Sequence, residues 1–169
     1  MRIKENIVTV IYGSSNPKGN TFAISQAIAQ KLGTEIYNLS DYKISYYDYS
    51  QNNRNDDFLP LIKQLIKSYD TYIFVSTVYL YSTSANLKTF LDRITDLLTI
   101  EKEFGRKLRG KYIIFVTSSE GNNLGDDFWI PIKATFEYLR MHFVLGMHCF
   151  QDSISKEQLK GITQSIKKK

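Results

Sequence analysis

The stretch from Ile7 to Thr21, IVTVIYGSSNPKGNT, limits what this chain can fold into more than any other. Ile7, Val8, Val10 and Ile11 form a short, mostly β-branched apolar run, the pattern of a strand covered on both faces in a parallel sheet. The run stops at Tyr12, Gly13 turns the chain, and Ser14, Ser15, Asn16, Pro17, Lys18, Gly19 and Asn20 make a polar loop before an amphipathic segment resumes at Thr21. A strand, a hydroxyl-rich loop and a helix in that order suit a phosphate. The first helical N–H groups lack partners, the helix dipole adds partial positive charge, and serine and threonine hydroxyls donate further bonds. Gly13 and Gly19 permit dihedrals and close backbone approach that a Cβ forbids. The same residues also describe an ordinary strand-to-helix turn with a Ser or Asn cap, and the rest of the chain decides between the two.

Ala23, Ile24, Ala27, Ile28 and Leu32 recur at helical spacing and predict a helix over Asn20–Leu32, closed by Gly33. Thr34–Leu39 alternates like a short edge strand. Residues 40–55 have little periodicity and many turn formers, a long surface loop of the kind that often carries function. Asp56 and Asp57 supply a negative start to a second helix with Leu61, Ile62, Leu65, Ile66 and Tyr69 as its apolar face. Thr71–Ser76 reads as the third strand, Thr77–Ser84 as a polar loop, and Leu87, Phe90, Leu91, Ile94, Leu97 and Leu98 as the buried face of one long helix. Lys88, Asp92 and Arg93 read as surface charge on that helix, with Lys88 and Asp92 at i,i+4 spacing. After a charged connector at Glu101–Arg109 comes a fourth strand, Lys111–Thr117, and a glycine-containing polar loop, Ser118–Gly125. A helix introduced by Asp126 and Asp127 should turn Ile132, Thr135, Phe136, Leu139 and Phe143 inward. Gly146–Phe150 gives the last strand. The closing helix starts at a capping box of Ser155 and Gln158, with Ile154 packing on Leu159 and with Leu159, Ile162 and Ile166 facing the sheet.

This alternation predicts an α/β three-layer sandwich around a parallel five-stranded sheet. Two strand orders compete for such a chain, and in the order 2-1-3-4-5 ligands bind beyond the carboxyl ends of the strands, at the switch point between the first and third. The unusual polar loops, residues 13–20, 77–84 and 118–125, all fall on that rim. One offers an anion seat, one offers Tyr79 and Tyr81, and one a hydroxyl- and glycine-rich wall. Together they suit a mononucleotide with a flat ring, and FMN fits the outline. The first loop lacks GxxxxGK[ST], against a P-loop nucleotide triphosphatase, and the first strand lacks the acidic pair of a magnesium-dependent receiver domain.

The length of 169 residues fits a single domain, 1–169, with an adequate core. The single Cys149 rules out an internal disulfide, suits a reducing, cytoplasmic setting, and reads as a small buried residue. The N-terminus runs into the first strand without the features of a signal peptide, and no stretch approaches a membrane span, so no membrane partner is expected. The net charge of +5 raises nucleic acid as a partner, but the basic residues are scattered outside Arg106–Lys111 and Lys167–Lys169, which reads as solvated surface and no nucleic-acid site. Several of the 12 tyrosines cluster in loops, at Tyr42, Tyr46, Tyr47, Tyr49, Tyr79 and Tyr81, where they can line a flat ligand or an interface. His142 and His148 read as structural groups of the last helix–strand unit, away from the rim.

Two segments carry a family resemblance. GSSNPKGNT resembles the phosphate loop of the flavodoxin-like NAD(P)H-dependent FMN reductases, and TVYLYSTSANLKTFLDR resembles their Pro-x-Tyr-Trp-Tyr-Ser-x-Ser-x-x-Leu-Lys-x-Phe-x-Asp-Arg stretch. The resemblance implies that Ser14, Ser15, Asn16, Lys18, Gly19, Asn20 and Thr21 hold the FMN phosphate. It implies that Thr77, Val78, Tyr79, Leu80, Tyr81 and Ser82 line the isoalloxazine and ribityl chain, and that Ser118, Ser119, Glu120 and Gly121 close over the ring. Thr77 stands where the family usually has Pro, Leu80 where it often has Trp, and Asn16 where it often has Arg, with Lys18 as the substitute charge. Related chains often carry cysteines ahead of the Asp pair, whereas the segment ISYYDYSQNNRNDDF has none, so an iron–sulfur cluster lacks its ligands.

The function so implied is an oxidoreductase in which FMN takes hydride from NADPH or NADH and passes electrons to a small acceptor such as a quinone, a flavin or an azo compound. No catalytic side chain and no metal are required, because the flavin carries the chemistry. Homodimers or homotetramers are implied by resemblance alone. Two other readings stay open: a flavodoxin-type FMN electron carrier without nicotinamide reactivity, disfavoured by the basic charge, and a non-catalytic relative that serves as a binding module.

Overall fold

The computed structural model describes residues 7–150 and 153–167. The lead-in before Ile7 and the last two lysines of the terminal basic run lie outside the described residues. In chain order the elements are β1 (Val8–Gly13), α1 (Asn20–Leu32), β2 (Ile36–Asn38), α2 (Phe58–Ser68), β3 (Thr71–Tyr79), β4 (Ser82–Thr83), α3 (Ala85–Arg93), α4 (Asp96–Thr99), α5 (Lys102–Arg106), β5 (Tyr112–Ser119), α6 (Trp129–Tyr138), β6 (His142–Phe150) and α7 (Lys156–Lys167). Five strands form a parallel sheet in the order β2-β1-β3-β5-β6, while β4 pairs antiparallel with β3. With β5 and β6 as the fourth and fifth predicted strands, this is the expected flavodoxin-like order.

Alternation along the strands sorts side chains onto two faces. Ile11, Phe74 and Phe115 join Leu65, Phe90 and Phe136 in one core, under α2, α3 and α6. Val10, Tyr12, Ile73, Val75, Ile114 and Val116 join Ile24, Ile28, Ile162 and Ile166 in the other, under α1 and α7. Cys149 is buried in this second core. Gly33 ends α1 in the left-handed conformation at φ 65°, as predicted, and Ser155 and Gln158 form the predicted reciprocal cap of α7.

Several local expectations are corrected. β3 continues past Ser76 because Thr77 still pairs with Ser118 of β5, and it then turns through Leu80 and Tyr81 into β4. Residues 77–84 are thus a hairpin rather than a loop. β6 begins at His142, not Gly146, and a bulge at Val144 shifts its register, so Phe143 belongs to the strand and not to the preceding helix. Ala23, Leu98 and Thr135 are exposed, while Ser25 takes a buried place on α1 by donating to the Thr21 carbonyl at 3.1 Å. The connector 101–109 contains the short helix α5.

The expected long helix ends at Arg93, where bonds from Ile94 to Leu91 and from Thr95 to Asp92 tighten the backbone. Lys88 and Asp92 pair on the surface as predicted, but Arg93 is fully buried. Its guanidinium donates through Nε to Asp96 at 2.9 Å, grips both carboxylate oxygens of Asp56 at 2.5 and 3.3 Å, and lies 4.7 Å over the Phe58 ring. It also donates to the Ser45 carbonyl at 3.0 Å. Asp56 in turn accepts from the Ser45 and Phe58 N–H groups, and Asp57 from that of Lys43. A helix-surface charge in the sequence is therefore the peg that fastens the long 42–57 segment. Burial tends to raise the Asp56 pKa, but hydrogen bonds from Arg93, Ser45 and Phe58 outweigh it and hold the carboxyl below the ordinary range.

Replacing Arg93 by Met strands two buried carboxylates and should cost roughly 3–5 kcal/mol in urea unfolding. Because the folded pKa of Asp56 is lowered, its stabilisation is complete above the unfolded value of about 4 and is lost as pH falls through the lower folded value. Wild-type stability should therefore drop on that acid limb, and Asp56→Asn should flatten the drop.

Candidate functional site

The carboxyl ends of β1, β3 and β5 and the first turn of α1 meet at one rim of the sheet. Four of these segments' hydroxyls form a line. Ser118 Oγ lies 2.7 Å from Thr21 Oγ1, Thr21 Oγ1 2.8 Å from Thr77 Oγ1, and Thr77 Oγ1 donates to Ser14 Oγ at 2.8 Å. Ser14 Oγ then reaches the Tyr79 hydroxyl at 3.4 Å. Each hydroxyl has one hydrogen to give, so the donation from Thr77 to Ser14 sets a single direction from Ser118 to Tyr79. The pKa of Tyr79 agrees with that direction. The hydrogen bond from Ser14, with further bonds from Ser15, holds the phenol below its ordinary value against the opposing effect of burial.

The loop between β1 and α1 is folded by its own polar groups. Tyr12 donates to the Asn16 carbonyl at 2.6 Å, the Asn16 N–H donates to Ser14 Oγ, and Asn16 Oδ1 accepts from the Lys18 N–H. The loop is rooted to α3 by Asn86, whose Nδ2 donates to the Ser14 carbonyl at 2.9 Å. Gly13 is required for space: a Cβ there would sit 2.7 Å from Leu87 Cβ. Gly19 flanks the Asn16 amide equally closely, and its φ of −79° shows that it supplies room rather than an unusual dihedral. It stands at the N-cap of α1, so the cap residue itself offers no side chain. The Ser- or Asn-capped turn considered from the sequence is therefore not what forms.

Across the rim from this loop, the β3–β4 hairpin places Leu80 and Tyr81 at its tip. Both have left-handed backbone, φ 45° and 58°, which matches the twist of a two-residue hairpin but favours Gly or Asn over large side chains. Leu80 is 99 % exposed and Tyr81 65 %. Tyr81 accepts from Asn123 Nδ2 at 2.8 Å, which joins the hairpin to the loop after β5. In that loop Ser119 donates to the Gly121 carbonyl at 3.0 Å, while Glu120 and Gly121 are exposed.

The expected site residues therefore gather at one rim, with different degrees of contact. Ser14, Thr21, Thr77, Tyr79 and Ser118 are linked directly, Ser15, Asn16, Lys18, Gly19 and Asn20 form the adjoining loop and helix start, and Val78, Leu80, Tyr81 and Ser82 form the hairpin. Two cavities flank the rim. One of about 420 Å³ lies on the α3 side, between Ser14, Ser15 and Asn86 and the tyrosine-bearing segment at Tyr42 and Tyr46. The other, of about 630 Å³, runs from Tyr81 and Asn123 over an apolar floor of Leu91, Phe128, Ile132 and Phe136 between α3 and α6.

His148 corrects the sequence reading. It sits near the carboxyl end of β6, on the rim, and its ring meets Thr117 Oγ1, Ser119 Oγ and the Gly121 carbonyl. His142 does lie at the opposite end of that strand, beside the Tyr112 ring.

The family profile described as NADPH-dependent FMN reductase matches residues 7–152. The chain belongs to that family. Its cofactor is accordingly FMN and its electron donor a reduced nicotinamide. Among solved structures, the Trp repressor binding protein of Bacillus subtilis is 18% identical, with 96% of this chain and 98% of that chain covered at a TM-score of 0.68. An NADPH-quinone reductase from P. pentosaceus is 14% identical over 95% of each chain, at a TM-score of 0.63. The flavodoxin of Megasphaera elsdenii is 14% identical over 96% of this chain and 100% of that chain, at 0.61. At these identities the likeness is one of fold. No curated protein sequence matches the chain significantly.

For this FMN reductase family member, the residues that sequence reasoning missed at the site are Tyr12, Asn86, Asn123 and His148. His148 had a usable signal, since it lies near the end of the last parallel strand and such ends form the rim. Asn86 and Asn123 had none, because their site contacts are to residues far away in the chain, and Tyr12 reads in the sequence only as the end of an apolar strand. Replacing Ser14 by Ala removes the donor that favours the Tyr79 phenolate, so the Tyr79 titration should move upward. Ultraviolet difference titration against Tyr79→Phe isolates that phenol, and an unchanged or lower value would contradict the one-way hydroxyl line.

Proposed function

We propose that this chain seats FMN on the rim described above, uses NADPH or NADH to reduce it, and passes the electrons to a small quinone, flavin or azo acceptor. The observation that carries the reading is the line of hydroxyls converging on a helix start whose cap residue is a glycine. Amide and hydroxyl donors around a phosphate need no metal, and the space beside Gly19 lets backbone come close. Ser14, Ser15, Asn16, Lys18, Gly19, Asn20 and Thr21 would hold the phosphate, with Lys18 as the nearby positive charge. Thr77, where relatives usually have Pro, supplies the central hydroxyl of the line and holds Ser14 and Thr21 in place before any ligand arrives. Val78, Tyr79, Leu80, Tyr81 and Ser82 would bound the ring on one side, and Ser118, Ser119, Glu120 and Gly121 on the other.

When bound, the flavin supplies hydride acceptance and electron transfer, so the protein's part is to bind, orient and leave one face open. The strained hairpin tip fits that part. Two large side chains held in left-handed backbone are costly to fold, and such strain concentrates at ligand-contact sites. The larger cavity, apolar at its floor and beginning at Tyr81, gives an aromatic acceptor room next to the hairpin. The scattered basic surface supports neither a nucleic-acid partner nor an electron carrier that docks through an acidic face. No helix among the described residues is long and apolar enough to cross a membrane. We read the chain as one cytoplasmic domain that associates as a homodimer or homotetramer, with exposed Leu80, Tyr81, Ile130 and Tyr138 as apolar surface available for it.

Apoprotein should quench FMN fluorescence on titration with one-to-one stoichiometry, and NADPH should bleach the bound flavin under anaerobic conditions. Binding without bleaching would identify an electron carrier instead, and absence of FMN binding would leave a non-catalytic relative. Thr77→Val should weaken FMN by about tenfold, the loss of roughly one good hydrogen bond's worth of preorganisation, as read by the same quenching titration.

A further inference from the structure

We propose that His148 is a positioning residue for the flavin, clamping the loop after β5 in the conformation that presents its backbone to the ring. The inference rests on the reading that FMN occupies this rim. The clamp is built from three contacts: His148 Nδ1 to Thr117 Oγ1 at 3.0 Å, and Nε2 to Ser119 Oγ at 3.2 Å and to the Gly121 carbonyl at 3.1 Å. A carbonyl has no hydrogen to give, so Nε2 carries one and donates it to Gly121. Ser119 donates to the same carbonyl at 3.0 Å, which leaves its oxygen able to accept a share of that one Nε2 hydrogen in a three-centre bond. The imidazole is itself fixed. Thr117 and His148 are direct neighbours in the parallel ladder between β5 and β6, and the His148 carbonyl accepts from Gln158 Nε2 of α7 at 3.2 Å.

The consequence lies in one peptide unit. Two donors, His148 of β6 and Ser119 at the end of β5, hold the Gly121 carbonyl, and no cis peptide occurs among the described residues. In a trans peptide the N–H points opposite to the C=O, so the Asn122 N–H faces away from the His148 ring and the Ser119 hydroxyl that hold the carbonyl. Gly121 carries no side chain to limit rotation of that unit, and without the clamp the peptide is free to turn over. Asn123 fastens the next residue but one to Tyr81. The loop is thus tied at both ends, to β6 by His148 and to the hairpin by Asn123, with one backbone donor displayed between them. That donor suits the polar, hydrogen-bond-accepting edge of an isoalloxazine ring.

Three variants test this. His148→Gln keeps an N–H near the Nε2 position, His148→Asn keeps only a group near Nδ1, and His148→Ala keeps neither. FMN affinity by fluorescence quenching should fall about tenfold in Ala and Asn and be largely restored in Gln, with the flavin midpoint potential shifted in Ala and Asn alone. In the apoprotein, amide hydrogen exchange at Asn122 should quicken in the same two variants. Equal affinity and potential in wild type and His148→Ala would overturn the clamp while leaving the flavin site standing. Equal losses in all three variants would also overturn it, as the mark of a packing role. Failure of wild type to bind FMN would remove the flavin site itself, and the positioning role with it.

Discussion

Parallel strands run the same way, so each connection must cross back over a face of the sheet and every strand ends at the same rim. That constraint brings Ser14, Thr77 and Ser118 together although they are far apart in the chain. The ladder pairs Gly13 with Ser76 and Thr77 with Ser118, so one register puts residues near the carboxyl ends of three strands side by side. On the α1 face, Thr21 closes the line from above. The site is an outcome of how the sheet terminates, with little dedicated structure of its own.

The opposite face is held by a different device. Arg93, the last residue of α3, is buried, and removing two carboxylates and a guanidinium from water is repaid only because nearly every donor has a partner. Its bonds reach Asp56, Asp96 and the backbone of Ser45, and in this way a segment without regular structure is pinned beside the β1–α1 loop. Asn86, at the start of the same helix, ties that loop from the other side. α3 therefore fastens both the phosphate-type loop and the tyrosine-bearing segment that walls the smaller cavity.

Much of the fold was legible in the residues. Apolar runs such as Val8–Ile11 and Tyr112–Val116 need two covering layers, and alternation with amphipathic helices leaves few ways to provide them. Gly33 and the Ser155–Gln158 box announced helix ends by local chemistry. The misses share a cause. Arg93 reads as surface charge because periodicity cannot see carboxylates from another element, and β6 was shortened because a bulge at Val144 interrupts its alternation. The polar stretch 77–84 contains a hairpin because β5 continues to pair with β3 beyond Ser76, a contact that local propensity does not contain.

The sequence by itself determined the parallel α/β architecture, the loop at residues 13–20 and the family, because these depend on short-range patterns of apolarity, turn chemistry and motif spacing. Only the tertiary structure decided that Gly19 is the cap residue of α1, that five hydroxyls fall in one line, and that His148 reaches across to Gly121. Each of these rests on strand register and on bonds of about 3 Å between distant residues, and such contacts exist only once the chain has been folded back on itself.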